Sequence, residues 1–141
     1  HFNYNTMAYK IIEIEGVGDS HAKKLEAAGV KTTEDLLATA ATPKGREKLA
    51  DETGIPPKQI LRWTNHADLF RIKGIAGQFA ELLEAAGVDT VKEFRHRVAS
   101  NLQPKLVEVN DKRNLCNRVP SVSEIEKMIA QAKELDPVIT Y

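Results

Sequence analysis

The chain has 141 residues, and its 20 basic and 20 acidic side chains leave a formal net charge of zero. That balance argues against an indiscriminate polycationic binder of nucleic acid, and the 42% hydrophobic content excludes wholesale disorder and suffices for a packed core. A single cysteine, Cys116, rules out an internal disulfide framework, and no apolar run is long enough to cross a bilayer.

Residues 1–7 read as an N-terminal extension ahead of a natural start at Met7. They lack the basic and apolar regions of a signal peptide, so the expected location is cytoplasmic. Ala8 to Ile14 reads as a short helix, with a strand as the alternative. Gly16-Val17-Gly18 then reads as a tight turn that needs positive φ and close backbone approach. Behind it Ala22, Leu25 and Ala28 recur at helical spacing, Asp19 is placed to cap that helix, and Gly29 closes it. Thr32 and Asp35 form a capping box for the next helix, which ends before Pro43 because the residue preceding a proline avoids the α region. Lys44 to Thr53 reads as a polar helix stopped by Gly54. Pro56-Pro57 opens another, whose apolar stripe is Ile60, Trp63, Ala67 and Phe70.

The second half retraces these steps. Gly74-Ile75-Ala76-Gly77 answers the first turn, Gly87 answers Gly29, and Thr90 with Glu93 answers the first capping box. A turn is expected at Pro104, followed by a helix through Leu106, Val107 and Val109. After a polar, basic link from Asp111 to Pro120, Ser121 and Glu124 open a last helix with Ile125, Met128, Ile129 and Ala132 inward. It ends near Leu135, since Pro137 cannot continue it, and the remainder reads as a tail. The expected fold is therefore all-α. Two pseudo-repeats, 8–69 and 70–136, pack as one compact helical domain with a tail at 137–141; two loosely joined lobes are the alternative.

Few side chains suggest chemistry. His21, His66 and His96 are scattered without a metal-ligand spacing, Cys116 lacks a nucleophile–base partner, and no phosphate loop, dinucleotide fingerprint or triad is present. Trp63 belongs with the core stripe rather than with a base-stacking platform. No catalysis, no cofactor and no metal site are expected. A basic cluster of Arg95, His96, Arg97, Lys105, Lys112, Arg113 and Arg118 suits either a phosphate-tracking face or an ordinary solvated surface.

Gly16-Val17-Gly18, followed by Ala22, Leu25, Gly29-Val30, Thr32 and Asp35-Leu36, resembles the helix-hairpin-helix family. Over nearly its whole length the chain is similar to a small bacterial family of tandem helix-hairpin-helix proteins of unknown function. The resemblance implies contact with the DNA or RNA backbone, without sequence reading, through main-chain N–H groups at the hairpin and helix start. Carried onto this chain, the site residues are Gly16, Val17, Gly18 and Ser20 with Lys23 and Lys24 in the first copy. In the second they are Gly74, Ile75, Gly77 and Gln78 with Arg71 and Lys73. Glu13, Glu15 and Asp19 surround the first hairpin, and Ala76 replaces the second glycine of the other. The expected function is a non-catalytic nucleic-acid-binding accessory protein. The alternative is a protein-interaction or structural module in which the hairpins only set helix crossings.

Overall fold

A computed structural model describes residues 9–141, so the extension expected over residues 1–7 lies outside the described residues. The segment read as a short helix is instead a backbone pairing followed by a single 3-10 turn. Lys10 bridges antiparallel to Thr32, with Thr33 N–H donating to the Tyr9 carbonyl at 2.8 Å and Ile11 N–H to that of Lys31 at 3.0 Å. The turn over Ile11–Glu13 then buries Ile11 and leaves Ile12 exposed. Pairing with 31–33 supplies outside partners for backbone groups that a helix would satisfy within itself.

Eight helices follow among the described residues, and no strand. They are α1 (Asp19–Ala27), α2 (Thr33–Ala40), α3 (Pro43–Thr53), α4 (Pro57–Leu69), α5 (Gly77–Ala85), α6 (Val91–Phe94), α7 (Ala99–Arg113) and α8 (Val122–Lys133). Local chemistry fixes most of the starts. Thr32 and Ser121 make reciprocal capping boxes with Asp35 and Glu124, and the hydroxyls of Thr42 and Thr90 accept from Gly45 and Glu93 N–H. The ends of α1 and α5 are built alike. Val30 N–H reaches the Leu25 carbonyl and Gly29 N–H that of Glu26; Val88 and Gly87 do the same to Leu83 and Glu84. This is the Schellman closure, with glycine at the left-handed position.

A further expectation is corrected. Pro104 makes no turn; it lies inside α7, where only the partner of the exposed Ser100 carbonyl is lost. Burial of Leu102 and Leu106 on either side outweighs that loss. The C-terminal tail is held to the body of the molecule. Thr140 N–H donates to the Ala41 carbonyl at 2.8 Å, the buried Arg46 donates to the Thr140 carbonyl at 2.8 Å, and Tyr141 Oη meets Asn65 Oδ1 at 3.3 Å.

The centre of the molecule is α4, which packs against α2, α3 and α5, while α7 packs on α5 and α8, and α6 on α8. Trp63, Phe70 and Phe94 are among the largest fully buried side chains. Buried apolar residues from both halves form one cluster. Asp68 at the end of α4 joins the halves. Its carboxylate accepts from Val91 N–H at 2.9 Å and from Arg71 at 2.8 Å, while burial pushes its carboxyl up despite both donors.

Candidate nucleic-acid interface

Two glycine corners carry the residues of interest. In the first, Val17 N–H donates to the Ile14 carbonyl at 3.1 Å, and Gly16 has φ +92, a value side-chain-bearing residues rarely adopt. Val17 is buried beneath the corner, while Gly16, Gly18, Asp19 and Ser20 are exposed. In the second, Ile75 N–H donates to the Ile72 carbonyl at 3.2 Å, Gly74 has φ +96, and Ile75 is buried as Val17 is. Local backbone geometry is thus matched between the two.

Their surroundings differ. Asp19 does not cap α1; it is the first helical residue behind Gly18, and no side chain bonds to the helix start. The extended backbone at Gly18 puts the N-cap position one residue before Asp19, so the carboxylate cannot fold back as an N-cap side chain does. Lys23 and Lys24 stand exposed one turn further on. Beneath the corner, the His21 ring meets Trp63 edge-on with centroids 5.2 Å apart.

The second corner is more fully engaged with its own molecule. Lys73 is exposed, but its N–H donates to Gln131 Oε1 at 2.9 Å and its carbonyl accepts from Gln131 Nε2 at 3.4 Å. Arg71, only 9% exposed in its side chain, is paired with Asp68. Gln78 is exposed and Gly77 buried, and α5 also starts without a side-chain cap. Gly77 faces the first corner. The place a Cβ would occupy there is 2.5 Å from the Glu13 carbonyl and 3.2 Å from Glu15 Oε1. A cleft of about 440 Å³ opens between the corners, lined by Glu13, Glu15, Gly74, Gly77, Cys116 and Arg118 among others. Its acidic wall disfavours an anion. Burial pushes the Cys116 thiol up, with Glu81 and Glu15 acting in the same direction, which opposes a nucleophilic thiolate.

Three members of the basic cluster, Arg118, Arg95 and Lys112, have partners within the molecule. Arg118 forks onto Glu124 with both contacts at 2.9 Å and holds that carboxyl down at about 2. Arg95 donates to the Lys133 carbonyl at 3.3 Å, and Lys112 sits 3.5 Å from Glu108. No group of three or more acidic, histidine or cysteine side chains fit to hold a metal occurs among the described residues. No helix among them is long and apolar enough to cross a membrane.

Sequence reading passed over a third constellation, on α4 and α5. Arg62 clasps Glu84 through Nε and Nη2 at 3.0–3.1 Å, and Glu81 lies 3.8 Å from Nη2. Burial alone would raise the Glu84 carboxyl, but the Arg62 hydrogen bonds and the neighbouring positive charge carry it below its ordinary range. His66, fully buried, places Nε2 3.4 Å from Glu84 Oε2 without hydrogen-bond geometry, so neither ring nitrogen has a hydrogen-bond partner among the described residues. Burial lowers the His66 pKa; Glu84 and Glu81 oppose this and Arg62 adds to it. The only sequence hint was a histidine one position before Ala67 in the apolar stripe.

A prediction follows from the proton balance. Folded His66 binds fewer protons than the same residue unfolded, so stability is complete above the unfolded pKa of about 6.5 and declines as pH falls through that value. Denaturant unfolding of wild type and His66→Phe across this range is expected to show a shallower acid decline in the variant. Identical slopes would exclude His66 as the source.

One family model, described as a domain of unknown function (DUF4332), matches residues 15–135. No curated protein and no solved structure matches the chain.

Proposed function

The chain belongs to the DUF4332 family, and we propose that it is a non-catalytic accessory protein that grips the phosphate backbone of DNA or RNA without reading sequence. In this reading the two corners are tandem helix-hairpin-helix units, 8–69 and 70–136, of a cytoplasmic bacterial protein. Matched closures at Gly29 and Gly87 and matched corners at Gly16 and Gly74 support that architecture.

The observation that carries the reading is the open start of α1. Side chains cap α2, α3, α6 and α8, whereas α1, like α4, α5 and α7, begins uncapped; at α1 that start is an exposed glycine corner with Lys23 and Lys24 exposed one turn behind. Unsatisfied N–H groups and the positive end of the helix favour an anion there, and the lysines add charge. Gly18 has nothing within 4 Å of the place its Cβ would take, so a phosphate oxygen can approach the backbone. The main contact is therefore assigned to Gly16, Gly18, Ser20, Lys23 and Lys24 over the buried Val17; Gln78 and Lys73 take a subsidiary part, with Gly74, Ile75, Gly77 and Arg71 shaping the second corner.

Fluorescence anisotropy with labelled duplex and single-stranded oligonucleotides, at low and moderate salt, tests this. Wild type is expected to bind at low salt and weaken steeply as salt rises. The double variant Lys23→Glu/Lys24→Glu is expected to lose about tenfold or more in affinity, with a salt slope reduced by up to about 2. Absence of wild-type binding at low salt would reject the proposal.

The second reading is a protein-interaction or structural module. It draws on the second corner, where Gln131 holds both backbone groups of Lys73 and Asp68 holds Arg71. A corner so engaged serves to set a helix crossing. Recovery of nucleic acid but no protein with the purified chain would count against this reading.

A further inference from the structure

At the first corner Gly16 packs over α4 with no side chain between them. The place a Cβ would occupy on Gly16 lies 3.6 Å from Nε1 of Trp63 and 3.8 Å from Nη1 of Arg62. Both atoms carry N–H donors. Trp63 is 1% exposed, and its Nε1 has no hydrogen-bond partner among the described residues. A buried indole N–H left unpaired is uncommon, because the group has lost its water and gained nothing in exchange.

Arg62 is disposed to complement it. Nε and Nη2 are committed to Glu84 at 3.0–3.1 Å, and none of these hydrogen bonds uses Nη1. The Arg62 side chain is 39% exposed, so it is partly open to solvent. A guanidinium gripped along one edge has its plane fixed, and the free edge then points in a set direction rather than sweeping as a lysine ammonium does. Glu84, charged and backed by the buried His66, provides that grip.

We propose that Arg62 contacts the phosphate backbone at the first corner, with the Trp63 indole N–H lying beneath Gly16. The ligand group is a phosphodiester oxygen resting on the bare face of Gly16, and the assignment rests on the nucleic-acid reading above. Glu84 and Glu81 beside it offset part of its charge, so Arg62 contributes chiefly a directed, charge-assisted hydrogen bond, with its remaining positive charge felt at the phosphate. It comes from a helix outside the corner, on a face that linear sequence does not connect to Gly16.

Anisotropy titrations over a series of salt concentrations, with thermal melts of each variant, provide the test. Arg62→Met is expected to weaken binding about tenfold and to lower the salt slope by about 1. Arg62→Lys keeps the charge without the fixed fork, and is expected to restore the slope but not the affinity. Glu84→Gln retains an oxygen acceptor for the guanidinium while removing the acid's charge, and is expected to bind at least as tightly as wild type. A merely structural pair would make Arg62→Met and Glu84→Gln lose affinity together; that result overturns the assignment. So does an unchanged Arg62→Met in a protein whose Lys23→Glu/Lys24→Glu variant has lost binding, which leaves the interface itself standing. Wild-type protein that binds no oligonucleotide at low salt overturns both. Should Arg62→Met fail to fold, Arg62→Lys against Glu84→Gln decides: loss in the first alone supports the contact, and loss in both or neither removes it.

Discussion

Alanine at Gly45 is expected to destabilise the chain by about 2–3 kcal/mol, although the same change inside an exposed helix gives a gain of about 0.5–1 kcal/mol. Gly45 lies in the first turn of α3, where propensity favours alanine. Its missing side chain, however, faces the main chain of α2. A Cβ there would overlap the Thr39 carbonyl oxygen and crowd Thr42 Oγ1 at 3.3 Å, and a backbone oxygen cannot swing aside as the end of a long side chain can. Gly77→Ala meets the same obstacle at the Glu13 carbonyl, 2.5 Å away, and would force the two glycine corners apart. Gly18→Ala serves as the control, having open space and an extended φ of −84, and should leave the melting temperature nearly unchanged. Thermal melts of the three variants side by side check this. A melting temperature raised by Gly45→Ala would show that the α2–α3 joint yields.

Arg46→Leu is expected to cost about 2–4 kcal/mol, with a melting temperature lower by roughly 6–15 °C. The guanidinium is 5% exposed and donates from Nη1 to the carbonyls of Ala40 and Ala41 at 3.0 and 3.1 Å. Nη2 reaches the Thr140 carbonyl at 2.8 Å, and the Tyr141 ring lies 5.9 Å from Cζ. Leucine would match the burial but leave the Ala40 and Thr140 carbonyls short of a donor, one closing α2 and one belonging to the tail, while the Ala41 carbonyl keeps Thr140 N–H. Arg46→Lys should recover only part of the loss, since one ammonium cannot replace a fork spread over three acceptors. Protease sensitivity near residue 138 should rise in parallel as the tail comes away. A leucine variant that melts with wild type would mean the tail contact is energetically idle.

What could be read from sequence was whatever depends on neighbours a few residues apart. The capping boxes at Thr32 and Ser121, the closures at Gly29 and Gly87 and the α4 stripe through Trp63 are all short-range devices, and each is present. Pro104 was misread because the short-range rule against proline is real but weaker here than the burial of Leu102 and Leu106. Groups whose partners are remote stayed hidden. Arg46 appeared as part of a solvated polar helix because its tail acceptor lies 94 residues away, and Asp68 gave no sign of the Val91 N–H 23 residues on. Of the candidate site, the corner glycines were legible, but which corner was open was not. The neighbours of each corner decide that: Gln131 and Asp68 engage the second, and the helix start at the first carries no side-chain cap.

Arg62 has a mechanical consequence. One planar group spans the gap between the bare face of Gly16 and the acid on α5. A phosphate held at its outer edge, as proposed above, would load the Glu84 pair as well, so the first corner and α5 share one side chain.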